Sequence, residues 1–327
     1  MNQKPLKVII SGGGTGGHIF PAIAIAKAIL AQRPDTSILF VGAEGRMEME
    51  KVPAAGFNIE GLPIIGIQRR LTWKNLLVPI KLWQSLRKAR RIIRTFQPDI
   101  AIGVGGYASG PLLKAAASMG VVTMIQEQNS SPGVTNKLLA RKAAKICVAY
   151  EGLEKFFDKN KIVLTGNPVR PELSAANNRR EEALKFFHLD GARPIVLVIG
   201  GSLGARTVNQ SIQASLALLT KKQYQLIWQT GKAFASAARS SADAISPDNV
   251  RVFDFIREMD LAYSVADVVV SRAGAMSISE LCIAAKPAIL VPSPNVSEDH
   301  QTKNARSLSE RGAAILVPDI EAKEKLG

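Results

Sequence analysis

A β-strand that runs directly into a glycine-rich turn commits the residues after it to a helix packed back on the sheet, and this chain does so twice. Val8-Ile9-Ile10-Ser11 enters Gly12-Gly13-Gly14-Thr15-Gly16-Gly17, and Ile195-Val196-Leu197-Val198-Ile199 enters Gly200-Gly201-Ser202-Leu203-Gly204, 188 residues later counted from Gly13 to Gly201. Similarity at that scale predicts two doubly wound α/β units. Apolar strands alternate with longer helical stretches throughout, as in parallel sheets covered on both faces. Strands are expected at 7–11, 37–41, 100–104 and 121–127, and again at 195–200, 225–229, 250–253, 268–271 and 288–291. Helices are expected between them, at 22–32 and 81–96 for example. A chain of 327 residues exceeds the size at which a single core stops growing, about 250–300 residues. The turn-rich Thr165-Gly166-Asn167-Pro168 marks the expected join, giving domains 1–164 and 165–327.

A glycine-rich turn between strand and helix lets backbone N–H groups approach phosphate oxygens, and the helix N-terminus adds roughly half a positive charge. Three such stretches occur, at 12–17, 103–110 and 200–204. Close strand–helix packing also selects glycine, so one turn alone says little. Three in one chain point to a ligand with two phosphates, or to two phosphorylated ligands. Gly12-x-Gly14-x-x-Gly17 also fits the dinucleotide pattern, which raises an NAD(P)-dependent oxidoreductase as an alternative. The second strand, however, ends at Val41-Gly42 with no acidic residue at its tip, and Glu44 comes two residues later. His18 follows the last glycine directly; an imidazole there suits acid–base chemistry or phosphate contact, with a structural helix cap as the plainer reading.

Charge is placed unevenly. Of the formal net +15, residues 1–164 carry 23 Lys+Arg against 10 Asp+Glu, and residues 165–327 carry 19 against 17. One basic half implies a local anionic partner. No acidic residue lies between Gly61 and Pro98, while nine basic ones fall between Ile64 and Arg94, interleaved with Ile64, Ile65, Ile67, Trp73, Leu77, Ile80, Leu82 and Trp83. Apolar side chains entering a headgroup boundary beside Lys and Arg suit an anionic membrane surface. A solvated basic helix with Leu82, Leu86 and Ile93 turned to the sheet is the alternative. A nucleic-acid surface ranks below both, since no recognised nucleic-acid motif accompanies the patch, and no nucleic acid is expected. No apolar run approaches the ~20 residues of a membrane-spanning helix, and no signal-peptide pattern opens the chain. Cys147 and Cys282 lack metal-ligand spacing and read as two buried free thiols of a reducing compartment.

Ordered along the chain are Gly12-Gly13-Gly14-Thr15-Gly16-Gly17-His18-Ile19-Phe20-Pro21-Ala22, Gly105-Gly106-Tyr107-Ala108-Ser109-Gly110-Pro111, Glu127-Gln128-Asn129 and Thr135-Asn136-Lys137. They continue with Gly166-Asn167-Pro168-Val169-Arg170, Gly200-Gly201-Ser202-Leu203-Gly204-Ala205-Arg206, Asp254-Phe255-Ile256 and the run from Ser271 to Glu280. Together these motifs, covering about residues 7–318, resemble the peptidoglycan N-acetylglucosaminyltransferases. The resemblance implies a GT-B architecture, two Rossmann-like doubly wound domains facing a cleft. It implies inverting transfer of N-acetylglucosamine from UDP-N-acetylglucosamine to the muramyl 4-hydroxyl of lipid I, giving lipid II, at the cytoplasmic face of the cell membrane. No cofactor or bound metal is expected.

By motif match, the resemblance implies that Arg170, Ser202, Ile256, Ala275, Met276, Ser277, Ile278, Ser279, Glu280 and Gln301 contact the donor, with Thr15, Gly16, Gly17 and Asn129 reaching it from the N-terminal side. Gly13, Gly14, Gly105, Gly106, Tyr107, Ser109 and Asn136 would face the acceptor. A carboxylate such as Glu280 can accept from both ribose hydroxyls; a capping box, Ser277-x-x-Glu280, is the structural alternative. Arg170 and Ser202 can offset charge on the UDP leaving group. Gln301 suits sugar hydroxyls or a plain helix start. Inverting transfer also needs a proton acceptor, and His18 and Glu127 both stand for that role, His18 first. Family members continue with further C-terminal helices beyond the point where this sequence ends. A related transferase with another lipid or sterol acceptor, and a non-catalytic membrane-binding protein of the same fold, complete the alternatives.

Overall fold

Val8, Ile9 and Ile10 are each fully buried. Consecutive strand residues point to opposite faces, so a strand apolar at every position must be covered on both. The computed structural model describes residues 4–65, 78–169, 173, 179–201, 203–296 and 299–326. It divides into two units, Met1–Val169 and Arg170–Gly327. The turn 165–168 belongs to the first: Thr165 N–H donates to Val148 O at 3.0 Å, and the Asn167 side chain bonds to Gln126 and to Gln128 O at 3.0 and 3.1 Å. The division therefore falls five residues beyond the expected 164/165.

The first unit holds strands β1 (Lys7–Gly12), β2 (Ser37–Ala43), β3 (Asn58–Leu62), β4 (Ile100–Gly105), β5 (Val122–Glu127), β6 (Lys145–Val148) and β7 (Ile162–Leu164). All pair parallel, in the order β3-β2-β1-β4-β5-β6-β7. Ile9 packs on one face with Leu112, Leu113 and Ile125; Val8 and Ile10 pack on the other with Ile19, Phe40 and Val104. The second unit holds β8 (Ile195–Ile199), β9 (Gln225–Gln229), β10 (Val250–Phe253), β11 (Val268–Ser271), β12 (Ala288–Leu290) and β13 (Ala314–Leu316). They too are parallel, ordered β10-β9-β8-β11-β12-β13, with Trp228 buried among Val198, Ile212 and Leu216. Both sheets turn direction beside their first strand, between β1 and β4 and between β8 and β11, where a crevice opens at the strands' carboxyl ends.

Strands β3, β6, β7 and β13 escape sequence reading because they lie away from the fully apolar centre of each sheet. The first helix, Gly16–Gln32, starts six residues before the expected position 22 and takes Pro21 inside. Pro21 has no N–H, so the Gly17 carbonyl loses its partner in the helical ladder. The basic helix spans Val78–Phe96 and buries Ser85, Ala89, Ile92 and Ile93. Leu82 therefore does not face the core, contrary to the solvated-helix reading: Ile80, Leu82 and Trp83 are 54%, 39% and 61% exposed. The Arg87 guanidinium lies 5.7 Å from the Trp83 ring centre. Residues 66–77, the rest of the basic apolar loop, fall outside the described residues. Cys147 is half-buried and Cys282 exposed, so the expectation of two buried thiols is met by neither; partial burial pushes the Cys147 thiol up.

Candidate functional site

At the first crevice the turns after β1 and β4 interlock. Gly13 N–H donates to Gly105 O at 3.3 Å, and Ser109 Oγ donates to Ser11 O and Gly105 O at 2.9 and 2.8 Å. A Cβ on Gly106 would stand 2.3 Å from Gly13 O, and its φ of +91° excludes most side chains as well. Ser109 is fully buried, so its hydroxyl ties the turns from behind rather than facing an acceptor as expected. Tyr107 is 51% exposed at the tip of the second turn.

Glu48, on the helix Glu48–Ala54 after β2, was not singled out from sequence. Its buried carboxylate accepts from Gly14 N–H at 2.9 Å and Ala43 N–H at 3.0 Å. The N–H groups of Gly13 and Gly14 thus point into the protein. This corrects their expected role as phosphate donors. Gly16 and Gly17 open the helix before its first bonds, from His18 N–H and Ile19 N–H to Thr15 O, both at 3.1 Å, and their N–H groups are among those a helix leaves for an anion. β2 runs to Ala43, so Glu44 stands at its tip rather than two residues beyond it, where it pairs with Lys88 at 2.9 Å.

His18 Nδ1 lies 3.2 Å from Gly13 O and 3.3 Å from Thr15 Oγ1. A carbonyl only accepts, so Nδ1 carries the hydrogen and the neutral ring holds its lone pair on Nε2. Nε2 and Cδ2 sit on the bare Cα of Gly105, where a Cβ would approach to 2.8 and 2.6 Å. The rival base is placed differently. Glu127, buried at the end of β5, accepts from Asn129 N–H at 3.0 Å, Asn129 Nδ2 at 3.3 Å, Gly133 N–H at 3.2 Å and Asn136 Nδ2 at 2.8 Å. Four donors on one carboxylate make it the anchor of the loop 128–133, and Asn136 one of its supports.

The second crevice repeats the topology with other chemistry. Gly204 N–H donates to Gly201 O at 3.0 Å, closing the turn before the helix Arg206–Lys221. Across β11, the helix Ala275–Ile283 begins after Gly274, with no side-chain cap. Ser277 is therefore its third residue, and the capping-box reading of Ser277 with Glu280 is wrong. Glu280 is buried and accepts from the buried Tyr263 hydroxyl at 3.1 Å. Along the same helix Ala275 and Ile278 are buried, while Met276, Ser277 and Ser279 are half-buried. Ser279 Oγ donates to Ala275 O at 3.0 Å. Ile256 N–H donates to Gln229 Oε1 at 2.9 Å. Gln301, second residue of the helix His300–Ser309, accepts from Ser293 N–H at 2.8 Å and so holds the Pro-rich loop before it. Arg170 and Ser202 lie outside the described residues.

Tyr263 and Gln229, like Glu48, went unnoticed in the sequence, although a polar residue closing an apolar strand, as Gln229 closes β9, is a usable signal. Among the described residues no cluster could hold a metal ion, and no helix is long and apolar enough to cross a membrane.

Residues 8–148 match the glycosyltransferase family 28 N-terminal domain and residues 195–327 its C-terminal domain. A relative from Parabacteroides distasonis is 59% identical over 99% of this chain and 88% of its own length. One from Cytophaga hutchinsonii is 58% identical over 99% and 87%. Both are named UDP-N-acetylglucosamine–N-acetylmuramyl-(pentapeptide) pyrophosphoryl-undecaprenol N-acetylglucosamine transferase. The crystal structure of Acinetobacter baumannii MurG superposes with a TM-score of 0.74 at 30% identity, over 97% of this chain and 87% of that one. The calicheamicin glycosyltransferase CalG4, at 13% identity and a TM-score of 0.67 over 99% and 89%, shares the fold alone. The two Rossmann-like parallel units are those of a GT-B glycosyltransferase.

Proposed function

The chain belongs to glycosyltransferase family 28, and from that premise we propose that it moves N-acetylglucosamine from UDP-N-acetylglucosamine to the muramyl 4-hydroxyl of lipid I, forming lipid II. The observation that carries the reading is the pair of crevices at equivalent switch points, each with a glycine turn and a helix start suited to a diphosphate. The name shared by relatives near 58% identity supports the substrates.

In this reading the second unit holds the nucleotide. Glu280, oriented by Tyr263, accepts from the ribose hydroxyls. The Ile256 segment borders the base, and the turn 200–204 with Arg170 and Ser202 takes the diphosphate. Residues 275–279 and Gln301 line the sugar. Thr15, Gly16 and Gly17, expected from sequence at the donor, are here assigned instead to the acceptor, the N–H groups of Gly16 and Gly17 to its diphosphate, with Tyr107 beside them. The acceptor oxygen attacks the anomeric carbon from the face opposite the phosphate, the bond from that carbon to the phosphate oxygen breaks, and UDP leaves with the electron pair. His18 Nε2 takes the hydroxyl proton, its ring held by Gly13 O. Glu127 acts on the loop carrying Asn129, not on the proton. Ile80, Leu82 and Trp83, flanked by Arg87, Arg90 and Arg91, dock the first unit on an anionic cytoplasmic membrane face.

The test is radiolabelled sugar transfer from UDP-N-acetylglucosamine to a lipid I analogue, with UDP-glucose and UDP-galactose as controls. Labelled lipid product from the first donor alone is expected. No product with fully folded enzyme overturns the reading.

A further inference from the structure

Strand β9 ends in a buried amide that touches two separate loops of the second crevice. Gln229 Nε2 donates to Gly201 O at 3.1 Å, and Gln229 Oε1 accepts from Ile256 N–H at 2.9 Å. The amide is 3% exposed. Its orientation is fixed by its partners, because a carbonyl can only accept and an N–H only donate. Gly201 belongs to the turn assigned to the diphosphate, and Ile256 to the segment assigned to the base. The same strand begins with Gln225, fully buried and likewise bonded at both ends: its Nε2 donates to Asp190 O at 2.6 Å and its Oε1 accepts from Asp190 N–H at 2.8 Å. Four residues of strand place these amides about 13 Å apart. Two similar braces thus lie at opposite ends of one strand, and only one joins elements of the crevice.

We propose that Gln229 is a positioning residue for the donor, a spacer that sets the distance between the diphosphate turn and the base segment; this rests on the reading that the second unit binds UDP. Both partners present backbone to the ligand, so their separation is set by what lies between them. Binding a rigid nucleoside diphosphate at both places at once requires that separation to be correct before the ligand arrives. The effect falls on donor binding and leaves acceptor binding alone.

Four proteins test it: wild type, Gln229→Met, Gln229→Glu and Gln225→Met, each measured for donor and acceptor KM, kcat, UDP affinity by calorimetry, and Tm. Gln229→Met removes both hydrogen bonds at nearly constant volume and is expected to raise donor KM and the UDP dissociation constant about tenfold, with acceptor KM unchanged. Gln225→Met, which likewise removes two buried hydrogen bonds, is expected to lower Tm as Gln229→Met does, without moving donor KM. Gln229→Glu supplies a sharper readout. Its protonated acid can donate to Gly201 O and accept from Ile256 N–H, whereas its carboxylate faces the Gly201 carbonyl with no hydrogen to give. Donor KM of that variant is expected to fall toward wild type as pH is lowered through the carboxyl titration, relative to wild type at each pH. This series decides the matter if Gln229→Met does not fold. Donor KM of Gln229→Met within twofold of wild type, an equal rise in Gln225→Met, or a Gln229→Glu profile parallel to wild type would each overturn the proposal. Wild-type protein that binds no UDP would overturn the nucleotide reading beneath it, and is told apart by the absence of binding in every sample.

Discussion

The two switch points share a topology and differ in what braces them. In the first, the turn 12–17 is held by a buried carboxylate, Glu48, and carries an imidazole on the opposing turn. In the second, the turn 200–204 is held by a neutral amide, Gln229, and the carboxylate of the crevice, Glu280, is turned to a tyrosine hydroxyl. Glu48 takes the N–H of Gly14 from the first turn and adds negative charge behind it, whereas Gln229 donates to the Gly201 carbonyl and takes no N–H from its turn. In the proposed division of roles, the first crevice serves proton transfer through His18. The second, in the same proposal, holds the leaving diphosphate. The topology is common to both units, and the side chains behind the turns are what differ.

The largest effect expected from this contrast is that of His18→Ala. Loss of general-base assistance lowers turnover by about 10²–10⁴-fold, while UDP affinity, a property of the other unit, stays at the wild-type value. Steady-state kinetics with saturating substrates, paired with calorimetry, check both halves; normal turnover removes His18 from the role. Glu280→Ala is the mirror image. Losing a charged acceptor for the ribose weakens UDP binding about 10–100-fold, the range of hydrogen bonds to charged groups, and leaves acceptor KM alone. Equal loss of both affinities would erase the division between the crevices.

Glu48→Gln tests the brace of the first turn. One acceptor oxygen cannot serve both Gly14 N–H and Ala43 N–H, so a buried donor is left unmet at a cost of about 1–3 kcal/mol. A drop in Tm of several degrees is expected with a raised acceptor KM, and unchanged UDP affinity is the discriminating observation. Smallest is the membrane contact: Trp83→Ala, removing an exposed indole, should weaken binding to anionic vesicles about fivefold, with binding to neutral vesicles weak for both proteins. Equal vesicle binding by the variant and wild type would leave the patch as ordinary helix surface.

Much of this was legible in sequence because its signals are local. β8 is apolar at every position and β1 is so from Val8 to Ile10, and the glycine turns follow them closely, so both sheets and both crevices could be placed in advance. The braces were not legible. Glu48 meets Gly14 across 34 residues, Gln229 meets Gly201 across 28 and Tyr263 meets Glu280 across 17, and no spacing rule links such pairs. The same cause hid the direction of the Gly13 and Gly14 N–H groups. A glycine-rich turn announces that backbone can approach a ligand, but which N–H groups face outward depends on what packs behind them. Ser109 misled for that reason, as a polar residue in a motif whose hydroxyl is spent on two backbone carbonyls.

The division of labour between the crevices is tested most directly by crystals soaked with uridine diphosphate. Nucleotide density against Gly201, Ile256 and Glu280, with none at Gly16 and Gly17, is the expected result. Density at the first turn, or at neither, would contradict the account.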